Sequence, residues 1–376
     1  MADDFMVRSE SIKGGADASV RMPSAIRARL RQEPALRARV NATKAFRQAV
    51  EHPINIDITS RCNLKCEGCF FYEGDHWLTV KEETDETVWA RFFTEQKAQG
   101  RKFAFIHGAE PALVQDRLVM ASQMIPRGSI NTNGTIRMRP DITLPLHVAV
   151  WGENDFEKIF RGGAIFTKVM RNFGGDPRAR FLFTVNRFNI DQIDAVARAV
   201  RDEGGKLFFN YFAPTEQYLA KLRSRAQNDD QYFRVSTPEQ NLVWDEASLA
   251  AARAAIEDAI DAYPDTVWHS KAFNRVMTRP GSWFTLDQTG LAANCLSRNM
   301  AEHAVFAIDA RQSKGKCSTP NIDCSTCKIY PSSLFSIMRQ PGHFLADSAA
   351  TLEDWLDIVR HTSRLFTLET DTAFID

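Results

Sequence analysis

Between about residues 53 and 215 the chain alternates short apolar runs with stretches of helical character. This alternation restricts the fold more than any other feature. The runs are "INIDITS", "FAFIHG", "SINTNG", "LHVAVWG", "ARFLFTVNR" and "KLFFNYFAP". Each has the length and the β-branched or aromatic content of a strand. Between two of them lies "NIDQIDAVARAVRDEGG", with Ile190, Ile193, Ala197 and Val200 on one helical face, Asn189 as cap and glycines at the stop. Six strands joined by crossovers predict an α/β fold: a parallel sheet, wound right-handedly and covered by helices.

The remainder is organised around that block. Residues 1–20 are polar and read as a frayed terminus. Ser24 is placed to cap a helix through "AIRARLRQEPALRARV", interrupted near Pro34. Residues 216–270 read as a helical insertion that includes "ASLAAARAAIEDAIDAY". After about residue 280 the texture changes to short strands and turns. The expected divisions are 1–52 (tail and helix), 53–215 (the parallel α/β block), 216–280 (helical connector), 281–340 (a small cysteine-bearing unit) and 341–376 (a C-terminal helix). The 376 residues carry 47 Lys plus Arg against 47 Asp plus Glu, so nothing favours nucleic acid or an anionic membrane as partner. The arginines of the N-terminal helix then read as a solvated face. "MADDF" is acidic and no apolar run follows it, which argues against a secretion signal. No window approaches the roughly 20 apolar residues of a membrane span. A cytoplasmic protein is expected.

The seven cysteines fall in two clumps, which in a reducing compartment points to metal rather than disulfides. Cys62, Cys66 and Cys69 sit directly after the first strand, where parallel α/β folds collect ligands and chemistry. Thiolates suit zinc or iron–sulfur clusters. With His76 as fourth ligand the three would close a zinc site. Holding a 4Fe–4S cluster, they would leave one iron open for chemistry. Cys295, Cys317, Cys324 and Cys327 form the second clump. Four thiolates can close either an iron–sulfur cluster or a zinc knuckle.

Cys-x3-Cys-x2-Cys at the end of the first strand resembles the signature of the radical S-adenosylmethionine (radical SAM) superfamily. "HGAEPAL" at 107–113 resembles that family's Gly-Gly-Glu-Pro motif, with Ala109 replacing one glycine. "NTNGT" at 131–135 and "VAVWGENDFEKIFRGG" at 148–163 resemble the ends of the family's third and fourth strands. The resemblance covers about residues 53–215 well and implies a partial (β/α)6 TIM-type barrel. It further implies a catalytic 4Fe–4S cluster on Cys62, Cys66 and Cys69, with S-adenosylmethionine chelated to the open iron. Gly108, Ala109 and Glu110 would hold its methionine ammonium, and Arg161 its carboxylate, unless Arg161 merely forms a surface ion pair with Glu157. Asn133 and Asn186 are candidates for adenine and ribose contacts, or else turn-forming asparagines. His107 either contacts substrate or belongs to a turn, and Trp151 and Tyr211 line the cavity or fill it. Two departures stand out: Gly68 where relatives often have an aromatic residue, and Ala149 and Trp151 where they often have serine and aspartate. "Cys-x-Gly-Cys" and "TNGT" are similar to the branch containing the hopanoid side-chain enzyme, a local likeness that does not carry a substrate.

Gly290-x4-Cys295 resembles the opening of a twitch domain, a short form of the SPASM domain that holds one auxiliary 4Fe–4S cluster. The cysteine usual before that motif is absent. The resemblance implies a 5′-deoxyadenosyl radical that abstracts hydrogen from a small molecule, with a net oxidation assisted by the auxiliary cluster and a one-electron donor such as flavodoxin or ferredoxin. Epimerisation, with Cys295 as hydrogen donor, adenosyl addition and peptide maturation stay open. So does a non-catalytic iron–sulfur or zinc protein.

Overall fold

The six expected strands all form, as β1 (Pro53–Asp57), β2 (Phe103–His107), β3 (Arg127–Thr132), β4 (Leu146–Val150), β5 (Ala179–Val185) and β6 (Leu207–Tyr211). They appear in a computed structural model that describes residues 22–73, 79–229, 231–315, 317–346 and 350–368. The expected frayed terminus and His76 lie outside the described residues. A seventh strand, β7 (Ala304–Phe306), completes one sheet in the order β6-β5-β4-β3-β2-β1-β7, every pairing parallel. From β1 to β6 neighbours in sequence are neighbours in space, as successive βα units laid side by side require, and β7 returns to the free edge of β1. Residues 281–340 thus contribute a strand to the main sheet, pairing from Ile54↔Ala304 to Ile56↔Phe306.

The two faces of the sheet are covered differently. On the outer face Phe306, level with Ile56, meets Phe92 of the crossover helix Glu86–Ala98 at 4.9 Å. On the inner face Phe103 and Phe105 pack against Phe335 and Phe366 at 5.0–5.6 Å. Those partners belong to two C-terminal helices, Tyr330–Arg339 and Leu352–Phe366. His147 of β4 accepts from the Tyr330 hydroxyl (2.7 Å) and donates to the Leu365 carbonyl (3.0 Å). Burial holds that imidazole neutral, its pKa lowered to about 3. His147 also meets Phe208 of β6 at 5.1 Å although β5 lies between them, so the sheet is strongly curled. Each fully buried Phe stabilises this arrangement by roughly 1.5–3 kcal/mol. The lower half of the curled sheet is therefore plugged with aromatic side chains.

Three local expectations need correction. Ser24 is the first residue of the helix Ser24–Gln32 rather than its cap; Pro23 holds the cap position without a side-chain bond. Pro34 opens a second helix, Pro34–Ala49, at the one position where its missing N–H is harmless. Asn189 does not cap its helix by a side-chain bond. Instead it accepts from Asn186 N (2.7 Å) and donates to the carbonyls of Trp151 (2.7 Å) and Thr184 (2.9 Å), tying the ends of β4 and β5 together. Tyr211 faces outward, its hydroxyl donating to Asn274 Oδ1 at 2.7 Å, and so does not line the interior. The 216–270 stretch holds the helices Glu216–Arg223 and Glu246–Ala262, the second opened by a capping box of Asp245 and Ser248. No described helix is long and apolar enough to cross a membrane.

Candidate metal and cofactor site

Along β1, β2, β4 and β6 a single residue escapes full burial, and on each it lies at or next to the C-terminal end: Asp57, His107, Ala149 and Asn210. On β3 the corresponding residue is Asn131. Asp57 pairs in register with His107, and Asn131 with His147. Alternation along each strand then puts all five on the inner face. The accessible mouth of the sheet is thus at its C-terminal edge, where the first cysteine loop begins.

Cys62, Cys66 and Cys69 are each partly buried in that loop. Glu67, fully buried between them, accepts from the backbone N–H groups of Arg234 (2.7 Å), Val235 (3.3 Å) and Ser236 (3.0 Å). Glu82 fixes the loop's start through Ser60 N (2.9 Å), Ser60 Oγ (2.8 Å) and Arg117 (3.1 Å). Gly68 takes φ +60°, and a Cβ there would come within 2.8 Å of the Phe212 ring and 3.3 Å of Tyr218. Those two rings fill the space an aromatic residue at position 68 would need.

Burial pushes all three thiols up, Cys62 to about 11 and Cys69 to about 12, these two with further repulsion from Cys66. Donors nevertheless point at each sulfur. Leu64 N (3.4 Å) and Asn133 Nδ2 (3.7 Å) donate to Cys62, the Arg161 guanidinium to Cys66, and the N–H groups of Phe71 and Tyr72 to Cys69. Three crowded, donor-lined thiols of this kind become thiolates when a soft cation compensates them. Among the described residues no group of three or more His, Cys, Asp or Glu is placed to hold a single metal ion. Three thiols with a donor at each sulfur form a donor set that fits a thiolate-held iron–sulfur cluster.

Arg161 is buried with Glu157, at 2.9 Å, so this is no surface pair. Burial opposes its charge, but Glu157 and Cys66 raise its pKa and keep it ionised. Its NH1 also donates to the Ala149 carbonyl at 2.8 Å, while its Nε is buried with no partner among the described residues. Glu110 is fully buried and accepts from Thr132 Oγ1 (2.6 Å), Asn133 N (2.6 Å) and Ala112 N (2.9 Å). Of its roughly four lone-pair sites one is left. Gly108 has φ +122°, and a Cβ there would fall 2.7 Å from the Thr59 carbonyl oxygen. Ala109 is not among the described non-glycine residues with positive φ, so its methyl adds no backbone strain, and its N–H bonds Thr59 O at 2.9 Å.

Asn133 forms the expected turn and also reaches the first cysteine loop. Its Oδ1 accepts from Thr135 N (2.9 Å) in a turn, while its Nδ2 bonds Asn63 Oδ1 (2.8 Å) and faces Cys62. Asn186 also closes a turn, to Phe188 N at 2.9 Å, yet its Nδ2 is buried without a partner among the described residues. Trp151 is buried against Phe212. His107 lines the mouth, with Nε2 3.2 Å from Asn55 Nδ2. Sequence reasoning missed Asp57, Asn131, Asn210 and the braces Glu67 and Glu82. The polar residues alternating with Ile in "INIDITS" were the available signal for Asp57.

The second clump is built differently. A hairpin bridges Leu286 and Ala292 around Gly290 (φ +80°) and delivers Cys295 to the start of the short helix Leu296–Asn299. Cys295 is buried with Phe284 and Ala292, and Trp283, Cys324 and Cys327 pack on them. Burial first, then the neighbouring thiols, raise Cys295 to about 11 and Cys327 to about 12; Cys317 and Cys324 repel both. Cys295, Cys324 and Cys327 therefore share one apolar pocket, with Cys317 close enough to act on Cys295 and Cys327 electrostatically.

A scan against family models matches none, and no curated protein matches the chain. The solved structures similar to it include two of one protein. Native anSMEcpe with bound AdoMet is 14% identical, covering 83% of this chain and 96% of that one, with a TM-score of 0.45. Native anSMEcpe with bound AdoMet and Cp18Cys peptide is 15% identical, covering 78% and 80%, with a TM-score of 0.44. Likeness at this level does not assign a function.

Proposed function

We propose that this chain is a radical SAM enzyme whose Cys62, Cys66 and Cys69 hold a catalytic 4Fe–4S cluster. One observation carries the reading: three half-buried thiols of one loop share the accessible mouth of a parallel sheet with a buried, charged Arg161 that donates to one of them. When bound, the cluster supplies one electron for cleaving S-adenosylmethionine to methionine and a hydrogen-abstracting 5′-deoxyadenosyl radical. The chain's own groups bind and shield. Arg161 offers its unpartnered edge to the methionine carboxylate, a target suited to a guanidinium. Glu110 offers its remaining lone-pair site to the ammonium, beside the backbone that Gly108 leaves approachable. Asn133 and Asn186 take the nucleoside. Cys62 and Cys66 pack on the main apolar core, which limits water at the reacting centre. The four thiols of the second clump hold an auxiliary cluster in a twitch-like unit, and a net oxidation of a small molecule follows, fed by a one-electron donor such as flavodoxin or ferredoxin.

The test is anaerobic reconstitution with iron and sulfide, followed by S-adenosylmethionine and dithionite. Formation of 5′-deoxyadenosine by the wild type, and none by Cys66→Ala, is expected. No 5′-deoxyadenosine from protein carrying its full iron complement would overturn the reading.

A further inference from the structure

The inner face of the sheet mouth is rich in acceptors that nothing in the chain satisfies. Asp57 ends β1, and among the described residues its carboxylate has no hydrogen bond or ion pair. Burial alone raises its pKa, to about 7. Asn210 on β6 has its Oδ1 buried without a partner, and so does Asn131 on β3. His107, level with Asp57, is held neutral by burial, its pKa lowered to about 4. The nearest cations are committed elsewhere. Arg161 is paired with Glu157, and Arg117 with Glu82 and Glu86. A half-buried carboxylate and two buried amide oxygens without donors among the described residues are costly to fold. Groups like these persist where a ligand satisfies them.

The complement of such a surface is a cationic hydrogen-bond donor. We propose that the substrate of this enzyme carries a protonated amine, that Asp57 is the carboxylate that anchors it, and that Asn131 and Asn210 accept from the same end of the molecule. The inference rests on the radical SAM reading for what happens next to the substrate, and on the mouth alone for its charge. Asp57 lies on the inner face of the sheet, whereas the Glu110 carboxylate is turned into the β2–β3 junction. The two carboxylates therefore serve different ammonium groups, that of the substrate and that of S-adenosylmethionine.

The experiment is calorimetric titration of the reconstituted protein, saturated with S-adenosylmethionine, with three four-carbon probes of different charge: n-butylammonium, 1-butanol and butyrate. Butylammonium is expected to bind at least tenfold more tightly than either of the others. Asp57→Asn should remove that preference, and Asp57→Glu should keep part of it. Equal affinities for the three probes, or an unchanged preference in Asp57→Asn, would overturn the proposal. Asp57→Asn should bind S-adenosylmethionine with wild-type affinity; a tenfold loss would instead make Asp57 a cofactor ligand and overturn it as well. Titration needs no cofactor cleavage, so the two readings fail separately. Absence of 5′-deoxyadenosine condemns the radical SAM assignment and leaves the charge preference to be judged by the titration.

Discussion

The two cysteine clumps are made from the same ligand type and both are backed by apolar side chains and backbone N–H donors, but among the described residues charged and amide side chains reach sulfur at the first alone. Cys62, Cys66 and Cys69 sit among polar groups, with Arg161, Asn133 and backbone N–H groups aimed at sulfur. Cys295, Cys324 and Cys327 sit among Trp283, Phe284 and Ala292. The cation beside the second clump, Lys328, directs its protons at the carbonyls of Arg279 and Gly281. Three thiolates in a charged setting leave a coordination position and the groups to fill it. Four with no charged or amide side chain at sulfur leave neither, and suit a cluster that only exchanges electrons.

The hardest test of that contrast removes one clump at a time. Replacing Cys62, Cys66 and Cys69 together by Ala should abolish 5′-deoxyadenosine formation and halve the iron bound after reconstitution. Replacing Cys324 and Cys327 should halve the iron too, yet leave cofactor cleavage measurable. Zinc in place of iron in the second clump would break the comparison there, making that unit structural and removing the auxiliary oxidant. If Cys295→Ala instead keeps the auxiliary iron and cleavage but loses turnover, that thiol is a hydrogen donor and the reaction an epimerisation.

The next largest effect concerns Arg161. Deleting one partner of a buried pair leaves the other charge uncompensated, which costs about 3–5 kcal/mol. Arg161→Ala should therefore lower thermal stability by that order, through the stranded Glu157 carboxylate. The double variant Arg161→Leu, Glu157→Leu should recover most of it while still binding S-adenosylmethionine poorly. Recovery of cofactor affinity along with stability would reduce Arg161 to a scaffold residue, and the first clump would lose the feature that most separates it from the second.

Much of this was legible beforehand, for identifiable reasons. The six strands are continuous apolar runs, buried on both faces by the crossover topology, and such runs survive without tertiary information. The first cysteine clump is local in sequence. What was not legible depends on one-residue parity or on distant partners. Tyr211 and Asn210 are adjacent, and only register shows that Asn210 faces the mouth while Tyr211 faces Asn274. The strand Ala304–Phe306 is three residues long and exists because β1 offers it an edge. The Arg161–Glu157 spacing is that of any helical surface pair, and its burial comes from β4 and the cysteine loop. Asn189 carries a sequence pattern suited to a cap but is claimed by two carbonyls 38 and 5 residues away.

A smaller effect separates the mouth from both clumps. Asp57 has its pKa raised to about 7 by burial, from 3.8. Below pH 4 it is protonated folded and unfolded alike and has no effect. Between pH 4 and 7 the unfolded chain releases the proton while the folded one keeps it, so stability falls as pH rises. Above pH 7 the loss is complete, about 2–4 kcal/mol at 1.36 kcal/mol per unit, less what hydration at the mouth returns. Asp57→Asn should match the wild type in denaturant unfolding at pH 4 and exceed it at pH 8. An equal difference at both pH values would show that the carboxylate is not desolvated.

The smallest expected effect is at Ala109, where the chain departs from the two-glycine motif it resembles. If the site required two glycines, Ala109→Gly should improve cofactor binding. The backbone argues otherwise, since Ala109 has no positive φ and its N–H already bonds Thr59 O. Restoring glycine then only frees the unfolded chain, costing about 0.4–1 kcal/mol of stability and leaving S-adenosylmethionine affinity unchanged. Gly108 supplies the control, because Gly108→Ala drives a Cβ to 2.7 Å from the Thr59 carbonyl oxygen and 2.9 Å from its nitrogen. That variant should lose cofactor binding and stability together. A gain in affinity from Ala109→Gly would mean that the methyl group intrudes on the ligand, and that the first clump's polar surroundings are less complete than the comparison requires.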